Sequence, residues 1–140
     1  MPFKININRK DGKTFKLEAD TEAITGKKIG ETIEGSDLKP ELSGYKLEIT
    51  GLSDIAGFPA LKNIEGTALK KVLLTKGKAM RTSRPKGLRL KKTIRGNTIS
   101  SKIVQVNTRV IEEGGKKLEE IFPEQNKPKE KPAEQPAVTQ

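Results

Sequence analysis

Apolar and polar positions alternate in short stretches along most of the chain, a period of two that predicts half-buried strands. Phe3, Ile5 and Ile7 form the first, and Phe15 and Leu17 resume the pattern as the second. Between them lies Asp11-Gly12, a dipeptide favoured in tight hairpin turns. Tyr45, Leu47 and Ile49 alternate as a further strand. Residues 68–75, ALKKVLLT, admit a strand or a short helix, and their brevity and the Lys76-Gly77 stop favour the strand. Leu88, Leu90 and Ile94 predict a strand with arginine and lysine on its other face. Residues 103–111, IVQVNTRVI, are the most β-like stretch, rich in Val, Ile and Thr and ended by Gly114-Gly115.

Glycines at 26, 30, 35, 44, 51, 57, 66, 77, 87 and 96 stand mostly seven to eleven residues apart, turn signals suited to a barrel or sandwich. Helix is confined to one turn within 36–43, limited by Pro40, and to 116–122, where Leu118, Ile121 and Phe122 share a face. The expected fold is all-β: a small β-barrel-like domain over residues 1–122 with one or two short helical turns. Residues 123–140, rich in Pro, Glu, Gln and Lys, are expected to form a disordered tail.

Composition narrows the chemistry. No run approaches the 18 or so apolar residues of a membrane span, and MPFKININRK lacks the apolar core of a secretory signal. The sequence contains no Cys, no His and no Trp. Ser-His-Asp and Cys-His nucleophiles are therefore impossible, as are thiolate and imidazole zinc sites. Gly26-Lys27-Lys28-Ile29-Gly30 lacks the spacing and the Lys-Ser/Thr ending of a phosphate-binding loop and reads as a turn. Glu112-Glu113 and Glu119-Glu120 read as solvated charge. No catalytic residue, metal, cofactor or small-molecule substrate is expected.

Charge changes the picture most. The formal net charge is +10. Residues 1–65 carry 10 basic and 11 acidic side chains, and residues 112–140 carry 5 and 7. Residues 66–111 hold 13 basic side chains and no acid. A solvated face interleaves both signs, so this block needs an external polyanion, and nucleic acid is the commonest one in a cytoplasm. The candidate RNA-binding residues are Lys70, Lys71, Lys76, Lys78, Arg81, Arg84, Lys86, Arg89, Lys91, Lys92 and Arg95. The five aromatics, Phe3, Phe15, Tyr45, Phe58 and Phe122, all lie outside the block. That weakens a base-stacking platform and favours phosphate and groove contacts to a duplex-rich RNA recognised by shape.

Two stretches resemble the archaeal and eukaryotic small-subunit ribosomal protein S6e family. In Ile49-Thr50-Gly51-Leu52-Ser53-Asp54-Ile55-Ala56-Gly57-Phe58-Pro59-Ala60, the family pattern is matched at Gly51, Asp54, Gly57 and Pro59. Leu52 replaces a usual glycine and Ala60 a usual methionine. Lys86-Gly87-Leu88-Arg89-Leu90-Lys91-Lys92-Thr93-Ile94-Arg95-Gly96 is similar to the family's basic run, and Asn107 and Gly114 match beyond it. The resemblance covers about residues 1–115. It implies a β-barrel-like structural protein that binds small-subunit ribosomal RNA beside neighbouring small-subunit proteins in the cytoplasmic ribosome, supporting subunit assembly and translation without catalysis. Gly51, Gly57 and Pro59 would then set turns, and Asp54 would serve a turn or cap. Eukaryotic members carry a long basic extension with regulatory phosphoserines, whereas the Pro-rich tail here is of the archaeal type. The alternative expectation is a free-standing RNA-binding regulator or chaperone using the same basic β-domain.

Overall fold

The computed structural model describes residues 2–77, 79–81 and 85–125. It is built from strands: β1 (Phe3–Asn8), β2 (Thr14–Ala19), β3 (Thr32–Glu34), β4 (Lys46–Asp54), β5 (Leu69–Leu74), β6 (Leu90–Arg95) and β7 (Ile103–Glu112). Two four-residue helices, α1 (Gly35–Leu38) and α2 (Leu118–Ile121), and two 3-10 turns, Glu22–Ile24 and Pro40–Leu42, complete it. Five strands form a curled, half-barrel sheet in the order β2-β1-β7-β4-β3, and β5 and β6 form a separate two-stranded ribbon.

The alternation along β1 puts Phe3, Ile5 and Ile7 inside and leaves Lys4 in solvent. Its hairpin to β2 closes where Asp11 Oδ1 accepts from the Lys13 amide at 3.1 Å and Gly12 takes φ 89°. A side-chain-to-backbone turn followed by a left-handed glycine suits a short hairpin loop. β1 then pairs in parallel with β7, and β7 pairs antiparallel with β4. The first and last strands thus lie side by side at the sheet centre. Register shifts along β4, one of them between Ile49 and Gly51, mark bulges. At that shift the Thr50 hydroxyl donates to the Asn107 carbonyl at 3.1 Å. Bulges bend the strand that carries them and sharpen its twist, which curls this sheet.

The concave face holds one core, with Ile7, Phe15, Ile24, Ile33, Leu42, Leu47, Ile49 and Val106 among its fully enclosed side chains. α2 covers one end of it. Leu118 and Phe122 are buried, Phe122 stacks on Phe15 with centroids 5.8 Å apart, and the Tyr45 hydroxyl donates to the Lys116 carbonyl. A Cβ on Gly114 would stand 2.6 Å from the Ser43 carbonyl oxygen and 2.8 Å from the Tyr45 ring, so the chain passes there only as glycine.

The strands expected from alternation are present, as are the two short helical stretches. Residues 68–75 resolve to strand. The short β3 and the turn at Glu22–Ile24 had no signal in the pattern, because each buries one isoleucine and one inward residue makes no period. The glutamates read as solvated charge are in part ion-paired. Glu112 meets Lys46 at 2.9 Å, Glu113 meets Arg9 at 3.2 Å, and Glu119 meets Lys13 at 2.6 Å. The hydrogen bond and charge of Lys13 hold the Glu119 carboxyl below its ordinary value. The described chain runs on past 122, and the Gln125 side-chain amide bonds both the amide and the carbonyl of Lys16 on edge strand β2, at 2.5 and 2.7 Å. Residues 126–140 of the expected tail lie outside the described residues.

Truncation after Gln125 is expected to leave the melting temperature within a few degrees, because tail changes rarely exceed about half a kcal/mol. Phe122→Ala opens a cavity under α2 and is expected to cost about 3 kcal/mol, or roughly 10 °C in a thermal melt.

Candidate nucleic-acid interface

The described part of the basic block forms the β5–β6 ribbon, the ends of the loop that joins its strands, the turn that follows β6 and nearly all of β7. Leu69 faces Arg95, Lys71 faces Thr93 and Leu73 faces Lys91; between them Lys70 faces Ile94, Val72 faces Lys92 and Leu74 faces Leu90. Directly opposed residues share a face of an antiparallel ribbon, and neighbours along a strand alternate. Lys71 and Lys91 are therefore diagonal neighbours on one face, and Lys70 and Lys92 on the other. The expected division of β6 into an apolar face and a basic face is not what forms, because Lys92 lies between Leu90 and Ile94 on their side of the strand. Cations project from both faces.

The ribbon also exposes apolar side chains: Leu73 is 56% exposed, Leu69 44% and Leu90 38%. A two-stranded ribbon of this kind is marginal in water on its own. Its base is anchored firmly. The Arg95 amide donates to the Pro59 carbonyl at 2.9 Å and the Leu61 amide to the Arg95 carbonyl at 3.3 Å. Gly96 follows, where an added Cβ would lie 2.0 Å from the Gly66 carbonyl oxygen. The glycine that ends the basic motif is thus required by close backbone approach.

Of the candidate cations, Lys70, Lys71, Lys76, Arg81, Lys86, Arg89 and Lys91 are exposed, and Lys92 is half-buried. None of these eight makes an ion pair within 4.0 Å among the described residues. Lys78 and Arg84 lie outside the described residues. Arg95 departs from the expectation. Its side chain is 8% exposed and Asp54's is 1%, and Arg95 Nε donates to Asp54 Oδ2 at 2.8 Å while Nη1 donates to the Thr67 carbonyl at 2.9 Å. An arginine enclosed and bonded in this way is directed into the protein, so Arg95 leaves the candidate surface.

Asp54 does serve a turn, and it also holds this buried charge. Its other oxygen, Oδ1, accepts from the Phe58 amide at 2.8 Å, and the Gly57 amide donates to the Asp54 carbonyl at 3.1 Å. Gly57 takes φ 86°, the left-handed conformation that glycine adopts at no steric cost. One carboxylate therefore closes the turn after β4 and ties it to β6. Nothing in the linear pattern paired Asp54 with Arg95, although an acid in a glycine-bounded turn and an arginine directly before a glycine were both visible. Among the described residues no group of three acidic side chains is placed to hold a metal ion, and no helix is long and apolar enough to cross a membrane.

Together, the fold and this surface define a half-barrel domain that carries a cation-rich β-ribbon. Residues 3–123 match the family described as ribosomal protein S6e. A protein of Nanoarchaeum equitans named small ribosomal subunit protein eS6 is 48% identical over 116 residues, spanning 82% of this chain and 84% of its own. Proteins of the same name from Methanococcus maripaludis and Methanocaldococcus jannaschii are 44% identical over 119 residues and 43% over 113. These alignments cover 84% and 81% of this chain, and 94% and 84% of theirs. The chain belongs to the ribosomal protein S6e family, whose members are structural components and not enzymes.

Asp54→Asn leaves the Arg95 charge enclosed without its partner and is expected to cost about 3 kcal/mol in urea denaturation, the order found when a buried pair loses one member. Lys46→Met removes the exposed pair with Glu112 and is expected to cost less than about 1 kcal/mol in the same assay.

Proposed function

We propose that the protein is a constituent of the small ribosomal subunit that binds ribosomal RNA through the β5–β6 ribbon and its tip loop, and that this binding supports subunit assembly and translation in the cytoplasm. The observation that carries the reading is the separation of charge. Cations of the body, such as Arg9, Lys13, Lys39, Lys46 and Arg109, sit beside glutamates of the same chain. The eight described ribbon and loop cations do not, in a block of 46 residues without one acid. Lysines on both faces of a ribbon favour a site between phosphate backbones over contact with a single flat surface. Lysine and arginine act here as phosphate contacts that set position and orientation. The neighbours are RNA helices and other proteins of the subunit.

If about six to ten of these cations meet phosphates, affinity for target RNA should fall roughly 10³–10⁵-fold between 50 and 200 mM salt, as calibrated on duplex DNA. Filter binding over a salt series reads this, and a flat profile would refute it. Charge reversal at Lys71 and Lys91 should weaken binding far more than reversal at Lys4 and Lys10 outside the ribbon. The reversed ribbon variant should also wash from purified small subunits at lower salt than the native chain.

A further inference from the structure

Folding brings an aromatic residue against the basic ribbon. Phe58, Pro59, Ala79, Lys92, Thr93 and Ile94 line a pocket of about 300 Å³ between the turn after β4 and strand β6. That volume is at the small end for a pocket that encloses an organic ligand. Four of the six residues are apolar, Lys92 is the only charged one, and no acid is among them. Phe58 is half-buried, as Lys92 is.

We propose that this pocket takes one unpaired nucleobase, bulged from an RNA helix and stacked on Phe58, while the lysines of the ribbon hold the flanking phosphates. The proposal rests on RNA binding by the ribbon and adds a base-recognition point to it. A ligand with a flat, largely apolar part and an attached anion fits an aromatic and proline wall with a cation at its side. Nucleotides have that chemistry, and every base presents a face on which stacking works.

The site is held ready. Asp54 Oδ1 accepts from the Phe58 amide at 2.8 Å, Asp54 Oδ2 accepts from Arg95 at 2.8 Å, and the Arg95 amide donates to the Pro59 carbonyl at 2.9 Å. The segment bearing Phe58 and Pro59 is thereby joined to the strand bearing Lys92, so the two walls of the pocket are held together before any ligand arrives. The charge of Asp54, the acid beside the site, is answered by Arg95 and does not repel an anion. The remaining wall is unusual too. Ala79 has φ 69°, the only positive φ of a non-glycine residue among the described residues. Alanine adopts that conformation at a cost, and such backbone strain clusters at binding sites.

The test compares two RNA hairpins that differ by one bulged adenosine in the stem, using the full-length chain. The sequence has no tryptophan, so Phe58→Trp introduces a single fluorophore at the pocket. Its emission should be quenched by the bulged hairpin and not by the paired one. The native chain should prefer the bulged hairpin, and Phe58→Leu, which keeps apolar volume but removes the ring, should lose about tenfold of that preference. The salt dependence should stay unchanged, because no phosphate contact is lost. A melting curve checks that the leucine variant is folded, and the tryptophan readout stands independently if it is not. Equal binding of both hairpins by the native chain, with steep salt dependence, would overturn the pocket and leave the ribbon reading intact. Salt-independent or absent binding to both would overturn the two together. Unchanged RNA preference in Phe58→Leu, with impaired incorporation into small subunits, would assign the pocket to a protein neighbour and overturn the proposal.

Discussion

The arrangement of this molecule hangs on one enclosed ion pair, Asp54 with Arg95. Burying two charges is costly, and the cost is offset only when both are fully bonded in good geometry. Here the carboxylate meets the guanidinium with one oxygen and the Phe58 amide with the other, and the guanidinium also reaches the Thr67 carbonyl. Three separate stretches of chain are fixed by one carboxylate and its partner. Backbone bonds from Arg95 to Pro59 and from Gly96 to Ala68 join the same three stretches, the turn after β4, the approach to β5 and the end of β6. The ribbon departs from the body at this point, so its direction is set there.

That anchoring matters because the ribbon is otherwise poorly supported. It pairs with no other named strand, exposes leucines, and carries lysines on both faces at separations where like charges repel. A domain selected for stability alone would place acids among these lysines, as the body does with Arg9, Lys13 and Lys46. Residues 66–111 contain no acid that could offset that repulsion. Core and concentrated charge thus lie in different parts of the chain: the curled sheet holds the core, and the ribbon presents the charge.

The same division explains two glycines of the family motifs. Gly57 is needed for its backbone conformation in the Asp54 turn, and Gly96 because a side chain would collide with the Gly66 carbonyl. Gly57 lies three residues after Asp54, and Gly96 directly follows Arg95. The close backbone approach at Gly96 and the direct contact of Asp54 with Arg95 at 2.8 Å thus occur at neighbouring residues.

Read alone, the sequence determined the β class, the hairpin at Asp11-Gly12, strands at 3–7, 45–49, 68–75 and 103–111, and the concentration of positive charge between Gly66 and Ile111. Those properties are local: a period of two, a turn dipeptide and a sum of charges need no partner from elsewhere in the chain. Tertiary structure decided the rest. The parallel pairing of β1 with β7 joins residues about a hundred positions apart, and no local preference encodes it. Arg95 looked like any other cation of its run until the fold enclosed it against Asp54. Phe58 lay outside the basic block in sequence and came to lie against it in space. Pairing, enclosure and proximity are properties of two segments at once, so they exist only when the chain has closed on itself.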